Sequence, residues 1–143
     1  MSNVRDGYLL VRAGGRCVGL ALDQVIEVLD PGDAFPVPAI EPAVRGVTRV
    51  RGRIMPLVHL GALLDGSRCP AERGDTAVVV ELSGRRVCLE VEAAESVLPG
   101  AGLPVPADAE MPWAVAVART ETGLLPLLDL TALGARITET TIP

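Results

Sequence analysis

The sequence of 143 residues predicts a mostly β protein built from two small antiparallel barrels or sandwiches. Three observations support this fold class. Short β-rich runs alternate with glycine-containing turns, the same layout of runs occurs twice along the chain, and hydrophobic residues make up 49% of the sequence. A copy of about 70 residues has a thin core when it stands alone. We therefore expect each copy to form one unit and the two units to pack on each other.

The repeat is visible in three pairs of segments that occur in the same order, at offsets of 68 to 70 residues. The pairs are "LLVRAGGRCVGLAL" with "VVVELSGRRVCLEV", "FPVPA" with "LPVPA", and "GRIMPLVHLGALL" with "TGLLPLLDLTALG". Self-similarity at a fixed spacing is the signature of an internal repeat. We predict a single domain made of two halves, at about residues 8–66 and 76–136, joined by a polar linker at about 65–75.

Each half opens and closes with a predicted hairpin. Gly14-Gly15 joins the first two β-rich runs, and Ser83-Gly84 does the same in the second half. The segments that follow, "DQVIEVLD" and "EAAESVLP", fit either a helical turn or a strand. The closing hairpins are "VTRVRGRIMPLV" and "WAVAVARTETGLLPLL", and each has a proline inside its last strand, Pro56 in the first half. We expect these prolines at a sheet edge, a strand start or a bulge.

Composition and charge exclude several classes of function. The net charge is −5, the chain has no lysine, and it has three aromatic residues, so we expect no binding to nucleic acid. A phosphate-binding loop of the G-x-x-x-x-G-K-[ST] type cannot exist without lysine. The N-terminal "MSNVRDGYLL" has charges where a signal peptide needs an apolar run, and no apolar stretch approaches the length of a membrane span. These features predict a cytoplasmic protein without direct membrane insertion.

Reactive side chains are few and scattered. The cysteines at positions 17, 69 and 88 are odd in number and form no C-x-x-C pair, and we expect Cys17 and Cys88 to be buried, reduced thiols. The one histidine is His59, in "PLVHL", and Asp129 stands at the corresponding place in the second half. We interpret this as a structural position that accepts either polar group. One histidine and dispersed cysteines do not form a metal site. We predict no metal, no cofactor and no enzymatic activity.

An acidic cluster at Glu90, Glu92 and Glu95 is a candidate carboxylate site. Glu90 and Glu92 alternate along the end of a predicted strand. We interpret this pattern as a solvated face of the sheet.

Four of the thirteen basic residues lie within nine positions, at Arg45, Arg49, Arg51 and Arg53. Arg51-Gly52 is the predicted tip of a hairpin. One interpretation is a solvated hairpin whose charges discourage edge-to-edge aggregation. The other is a partner-binding loop, because the planar arginine fork binds carboxylates and its alkyl stem packs on apolar groups. The second half keeps one arginine here, in "RTETG", and this difference favours the partner-binding interpretation.

The segment "VPAIEPAVRGVTRVRGRIMPLVHLGALL" resembles the signature of the CheW family of chemotaxis coupling proteins. That signature has a VP, a spaced proline, a hydrophobic-basic-glycine step, and an asparagine-leucine-arginine-glycine turn before a "PVIDL"-like strand. Arg49 and Val50 replace the asparagine and leucine of the turn, and His59 replaces the aspartate of the strand. The upstream "DQVIEVL" is similar to the family's short V-x-E-[VI] stretch, and the likeness runs from about Tyr8 to Gly134.

The resemblance implies a non-enzymatic adaptor made of two five-stranded SH3-like barrels around a shared hydrophobic core. Members of this family join the cytoplasmic tips of chemoreceptors, the methyl-accepting proteins, to the regulatory domain of the histidine kinase CheA at membrane-associated receptor arrays. The implied partner-binding positions of this chain are Val25, Glu27, Arg45, Gly46, Val47, Arg49, Val50, Arg51 and Gly52.

The sequence leaves alternatives open. One is a divergent member that serves as an accessory subunit without coupling a kinase, in flagellar chemotaxis or in another motility or chemosensory pathway. Another is a small-molecule-binding β-barrel, which requires an enclosed pocket that converges on His59. A third is a dimeric or filament-forming module that uses exposed strand edges.

Overall fold

The computed structural model describes residues 7–82, 84–100, 102–108, 111, 113–121 and 123–140. Within these residues the chain forms ten strands, two α-helices and a 3₁₀ turn at Leu22–Gln24. The strands are β1 (Tyr8–Ala13), β2 (Arg16–Ala21), β3 (Val25–Leu29), β4 (Val44–Val50), β5 (Arg53–His59), β6 (Thr76–Leu82), β7 (Arg85–Val91), β8 (Ala93–Leu98), β9 (Ala114–Thr120) and β10 (Gly123–Leu128). The helices are α1 (Leu60–Asp65) and α2 (Leu130–Thr140). The prediction of a mostly β protein is confirmed.

The strands form two five-stranded sheets. The first sheet has the order β8-β1-β2-β10-β9, and the second has the order β3-β6-β7-β5-β4. Each sheet contains one parallel pair, β2 with β10 and β5 with β7, and its other pairs are antiparallel. The prediction of two five-stranded units is thereby confirmed.

The expectation that each sequence half forms its own unit is wrong, because each sheet takes strands from both halves. The first sheet combines the β1–β2 hairpin of the first half with β8, β9 and β10 of the second. The second sheet combines the β6–β7 hairpin with β3, β4 and β5. The two orders become identical when each strand is replaced by its counterpart in the other half. Neither half therefore contains a complete sheet, although the boundaries assigned to the halves and linker stay a prediction.

Two of the predicted hairpin turns have the expected geometry. Gly14 and Gly15 have φ angles of 63° and 77°, and Arg51 and Gly52 have φ angles of 50° and 80°. Two-residue turns with positive φ at both positions match the right-handed twist of the strands that they join. The tip of the hairpin that contains Arg51 is therefore confirmed. The predicted turn at Ser83-Gly84 includes Ser83, which lies outside the described residues.

The two ambiguous segments are mainly strands. "DQVIEVLD" begins in the 3₁₀ turn and continues as β3, and "EAAESVLP" forms β8.

Neither α-helix was predicted from the sequence. Every residue of α1 from Leu60 to Leu64 is buried, so the segment has no polar face. A helix that is apolar all round lacks the amphipathic pattern by which helices are recognised.

The proline in each closing hairpin lies in a strand that is internal to its sheet, but at a point where that strand is paired on one side only, so the expected edge position is found locally. Pro56 pairs with Val47, whose N–H and C=O both bond to Phe35 on the other side, at 2.9 and 2.8 Å. Pairing of β5 with β7 begins at the next residue, Leu57. Proline therefore removes no ladder hydrogen bond between β4 and β5 here. Pro126 has the same arrangement in β10.

The main core includes residues from both sheets and both helices. Its fully buried members include Val11, Leu20, Leu60, Leu89 and Ile137. Burying a leucine side chain contributes about 1.5–3 kcal/mol, so this shared core supplies much of the stability. A smaller cluster under β4 and β5 supports the hairpin that carries the arginines.

Candidate functional site

The tip of the β4–β5 hairpin is tied to the opposite edge of its sheet. Arg51 Nε donates to Glu27 Oε1 and Arg51 Nη2 donates to Glu27 Oε2, both at 2.9 Å. Because β3 and β4 are the two edges of the second sheet, this contact shows that the sheet curls strongly. The hydrogen bond from Arg51 lowers the pKa of Glu27, and the same bond raises the pKa of Arg51. The side chain of Arg51 nevertheless stays 78% exposed, and it is accessible to a partner.

Arg45 does not fit an exposed docking residue, because its side chain is only 13% exposed. Its Nε lies 3.2 and 3.1 Å from the two carboxylate oxygens of Glu90, and its Nη2 lies 2.5 Å from Oε1. Nη1 and Nη2 also donate to the backbone carbonyls of Pro70 and Glu72, at 2.9 Å each. Arg45 thus holds the segment between β5 and β6 against the sheet.

Glu90 was expected on a solvated face, and that expectation is wrong. It is 0% exposed, and Arg73 Nε donates to its Oε2 at 2.6 Å, in addition to the bonds from Arg45. Burial by itself raises the pKa of Glu90, but hydrogen bonds from Arg45, Arg73 and the backbone N–H of Gly74 outweigh burial and lower it. Glu90 is therefore an ionised anchor inside the fold.

An open groove of about 560 Å³ lies beside the hairpin, and we call it the hairpin groove. Its lining residues are Asp33, Phe35, Val47, Thr48, Arg49 and Ile54. Phe35 is 56% exposed and Ile54 is 66% exposed. Large apolar side chains that are exposed next to each other commonly mark a surface for a partner. The groove thus combines an apolar floor with one basic and one acidic side chain.

The nine residues predicted as partner-binding differ in their burial. Arg49, Arg51 and Gly52 are exposed, and Glu27 and Val47 are half-buried. Val25, Gly46 and Val50 are buried, and Arg45 is occupied internally as described above. Of the nine, the structure places Val47 and Arg49 in the hairpin groove.

Sequence reasoning missed four residues of the groove, which are Asp33, Phe35, Thr48 and Ile54. In the sequence, "FPVPA" stands out only as part of the repeat. The available signal was one aromatic residue in a proline-rich stretch next to the arginine-rich segment.

Gly46 lies against the backbone of Phe35, which lines the groove. A Cβ atom at this position would lie 2.3 Å from the carbonyl oxygen of Phe35, and the backbone has φ 156°. Glycine therefore lets the loop that carries Phe35 approach β4 closely enough to form its two backbone hydrogen bonds with Val47.

His59 and Asp129 both cap helices. His59 Nδ1 accepts a hydrogen bond from the N–H of Ala62, and Asp129 Oδ1 accepts one from the N–H of Ala132, each at 3.0 Å. The interpretation of a structural position that accepts either polar group is confirmed. Burial lowers the pKa of His59, which favours the neutral imidazole that an accepting nitrogen requires. His59 does not line the hairpin groove, so that groove does not support the small-molecule alternative.

Among the residues that the structure describes, no group of three or more His, Cys, Asp or Glu side chains is arranged to hold a metal ion. Across that same part, none of the helices combines the length and the apolar character needed to span a membrane. Cys17, Cys69 and Cys88 are free thiols. Cys88 is buried as expected, and burial raises its pKa to about 12, whereas Cys17 is only half-buried.

Two interleaved five-stranded sheets that expose an apolar groove beside a cationic hairpin define a β-sheet domain suited to binding other proteins. The sequence matches the family model of the CheW-like domain over residues 7–137, and the chain belongs to that family.

The fold is similar to the crystal structure of the scaffolding protein TtCheW from Thermoanaerobacter tengcongensis. The TM-score is 0.77 at 19% sequence identity, and the match covers 91% of this chain and 92% of that chain. This likeness establishes the fold. No curated relative matches the sequence at a significant level. Membership of the family confirms the resemblance seen in the sequence and supports an adaptor role.

Proposed function

We propose that this chain is a non-enzymatic adaptor that couples the cytoplasmic tips of chemoreceptors to the regulatory domain of a CheA-type histidine kinase. The observation that carries this proposal is the hairpin groove, where Phe35 and Ile54 are exposed beside Arg49. Family membership supplies the kind of partner, and the groove supplies a place for one of them to bind.

The geometry of the groove favours a helix over a strand as its occupant. At Val47 the outer edge of β4 is already bonded to the backbone of Phe35, so an incoming strand cannot pair along the whole of that edge. A groove with an apolar floor accepts side chains spaced one turn apart on a helix. The exposed Arg49 and Arg53 suit carboxylates that flank such an apolar ridge. We therefore assign the helical receptor tip to this groove.

A second partner requires a second surface, and strand β3 provides one. It lies at the edge of the second sheet and exposes Ile26 and Val28. An open strand edge with apolar side chains can pair with a strand of another domain. We assign the kinase regulatory domain to this edge. The two surfaces meet at the ion pair of Arg51 with Glu27.

The experiment uses two variants, and each serves as the control for the other. Ile54→Asp alters the groove and Val28→Asp alters the β3 edge, and both side chains are exposed, so the variants should fold. Titration calorimetry measures the affinity of each variant for a receptor-tip helical hairpin and for the regulatory domain of a CheA-type histidine kinase.

We expect Ile54→Asp to weaken receptor binding about 30-fold or more, the equivalent of losing a hot spot of about 2 kcal/mol. Its affinity for the kinase domain should stay at the wild-type value, and Val28→Asp should show the opposite pattern. Wild-type affinity of both variants for both partners would refute the assignment of the two surfaces.

A further inference from the structure

We infer that Arg73 is a positioning residue for the hairpin groove, because it fastens the loop that forms one wall of the groove to the buried carboxylate of Glu90. This inference rests on the proposed function and deepens it, since it names a residue outside the groove that sets the shape of the docking surface. Arg73 lies in the segment between β5 and β6, a segment predicted from the sequence to be a polar linker.

The guanidinium of Arg73 bridges two parts of the chain. Its Nε donates to Glu90 Oε2 at 2.6 Å, and its Nη2 donates to the backbone carbonyl of Gly32 at 2.9 Å. Gly32 immediately precedes Asp33, the first residue of the groove wall. The rigid arginine fork has several donors and can serve both acceptors at once, whereas a lysine ammonium is a compact point charge.

Glu90 is a firm anchor for this bridge. It is fully buried, and Arg45 binds the same carboxylate while also bonding to the carbonyls of Pro70 and Glu72. The residues just before Arg73 are thereby fixed to the sheet. Gly74, the residue after Arg73, lies so close to Glu90 that a Cβ added to Gly74 would be 2.8 Å from the Cγ of Glu90. A buried carboxylate is tolerated when its hydrogen bonds are satisfied, so these contacts depend on one another.

The groove wall is also held at two places further along. The hydroxyl of Thr48 donates to the carbonyl of Asp33 at 2.8 Å, and Phe35 exchanges two backbone hydrogen bonds with Val47. These contacts fix the wall to β4, whereas Arg73 fixes its start to Glu90 in β7, the central strand of the sheet. The exposed ring of Phe35 therefore depends on supports at both ends of a short loop.

The single phenylalanine of the chain makes this inference testable without a partner. Labelling with 4-fluorophenylalanine gives one fluorine resonance, which reports on Phe35 alone. The variants are Arg73→Ala, which removes both bonds, and Arg73→Lys, which keeps the charge but not the fork. Arg12→Ala is the matched control, because Arg12 pairs with Glu95 on the first sheet and is exposed to a similar degree, 43% against 36% for Arg73.

We expect both Arg73 variants to shift or split the Phe35 resonance, and to increase amide hydrogen exchange at Phe35 by about tenfold through local opening. They should also weaken binding of the receptor-tip hairpin, while Arg12→Ala matches wild type in all three measurements. An unchanged Phe35 resonance and exchange rate in both Arg73 variants would overturn the inference.

Binding of the receptor tip separates this inference from the proposed function. If the Arg73 variants change Phe35 but bind the tip with wild-type affinity, and Ile54→Asp loses binding, the positioning role is overturned and the docking site stands. If Ile54→Asp also binds normally, the docking site itself is overturned.

Discussion

Replacing Gly46 by alanine tests the idea that glycine is required where the Phe35 loop meets β4. The added Cβ would lie 2.3 Å from the carbonyl oxygen of Phe35 and 2.8 Å from its carbonyl carbon. Both distances are shorter than real Cβ contacts. The φ angle of 156° is also one that residues with side chains rarely adopt. The loop or the strand must therefore move.

The cost follows from what the movement breaks. If the loop moves away, the two backbone hydrogen bonds between Phe35 and Val47 are lost, at about 0.5–1.5 kcal/mol each. If the strand keeps its place, the disfavoured backbone costs about 1–3 kcal/mol. We expect the free energy of unfolding to fall by about 2–4 kcal/mol, which lowers Tm by roughly 5–15 °C.

Urea and thermal unfolding measure this loss, with Gly52→Ala as the control. Gly52 has a positive φ of 80°, but an added Cβ there meets nothing within 4 Å. The control therefore carries backbone strain of about 1–2 kcal/mol without a collision. Wild-type stability of Gly46→Ala, to within about 0.5 kcal/mol, together with unchanged exchange protection of the Phe35 amide, would refute the reasoning.

Two further predictions concern the titratable groups of the interior. Glu90→Gln leaves the guanidinium of Arg45 without its counter-charge. We expect the free energy of unfolding, measured in urea, to fall by about 3–5 kcal/mol. A fall of less than about 1 kcal/mol would show that the pair is not an anchor. Burial lowers the pKa of His59 in the folded protein below its value in the unfolded chain, so the unfolded chain takes up the proton first as the pH falls. The contribution of His59 to stability should therefore be full above a pH of about 6.5 and should decrease as the pH drops towards the folded pKa. His59→Asn keeps a capping side chain that does not titrate, so unfolding at pH 7.5 and 5.5 should show a smaller decrease than in wild type, and equal decreases would contradict this origin.

The sequence predicted the parts of the fold that depend on neighbouring residues. The turns at Gly14-Gly15 and Arg51-Gly52 follow from local backbone preferences, which glycine makes visible. The equivalence of His59 and Asp129 was apparent from the repeat, although its physical reason, the capping of a helix, required coordinates.

The exchange of strands between halves was hidden because it depends on long-range pairing. Nothing in the sequence of β3 indicates that it joins the β6–β7 hairpin of the other half. The same reason applies to Glu90, which looked solvated in "CLEV" because its partners Arg45 and Arg73 are 45 and 17 residues away. The pattern of apolar and polar residues within one segment carries no information about residues that are distant in sequence and come into contact only on folding.

The wall of the hairpin groove was missed for a related reason. An exposed Phe35 is indistinguishable in sequence from a buried one. In the second half, Ala116 occupies the position that corresponds to Gly46. The missing side chain is instead at Gly102, where an added Cβ would lie 2.6 Å from the Cβ of Ala116. Loop and strand thus approach equally closely in both halves, with the glycine on the strand in the first half and on the loop in the second.

A titration of the receptor tip against a matched pair of variants is the most direct test of the proposed binding of that tip in the hairpin groove. Ile54→Asp and Leu124→Asp alter exposed side chains at corresponding positions of the two sheets. We predict that Ile54→Asp weakens binding about 30-fold or more and that Leu124→Asp stays within about threefold of wild type. Equal affinities for the two variants would contradict the claim.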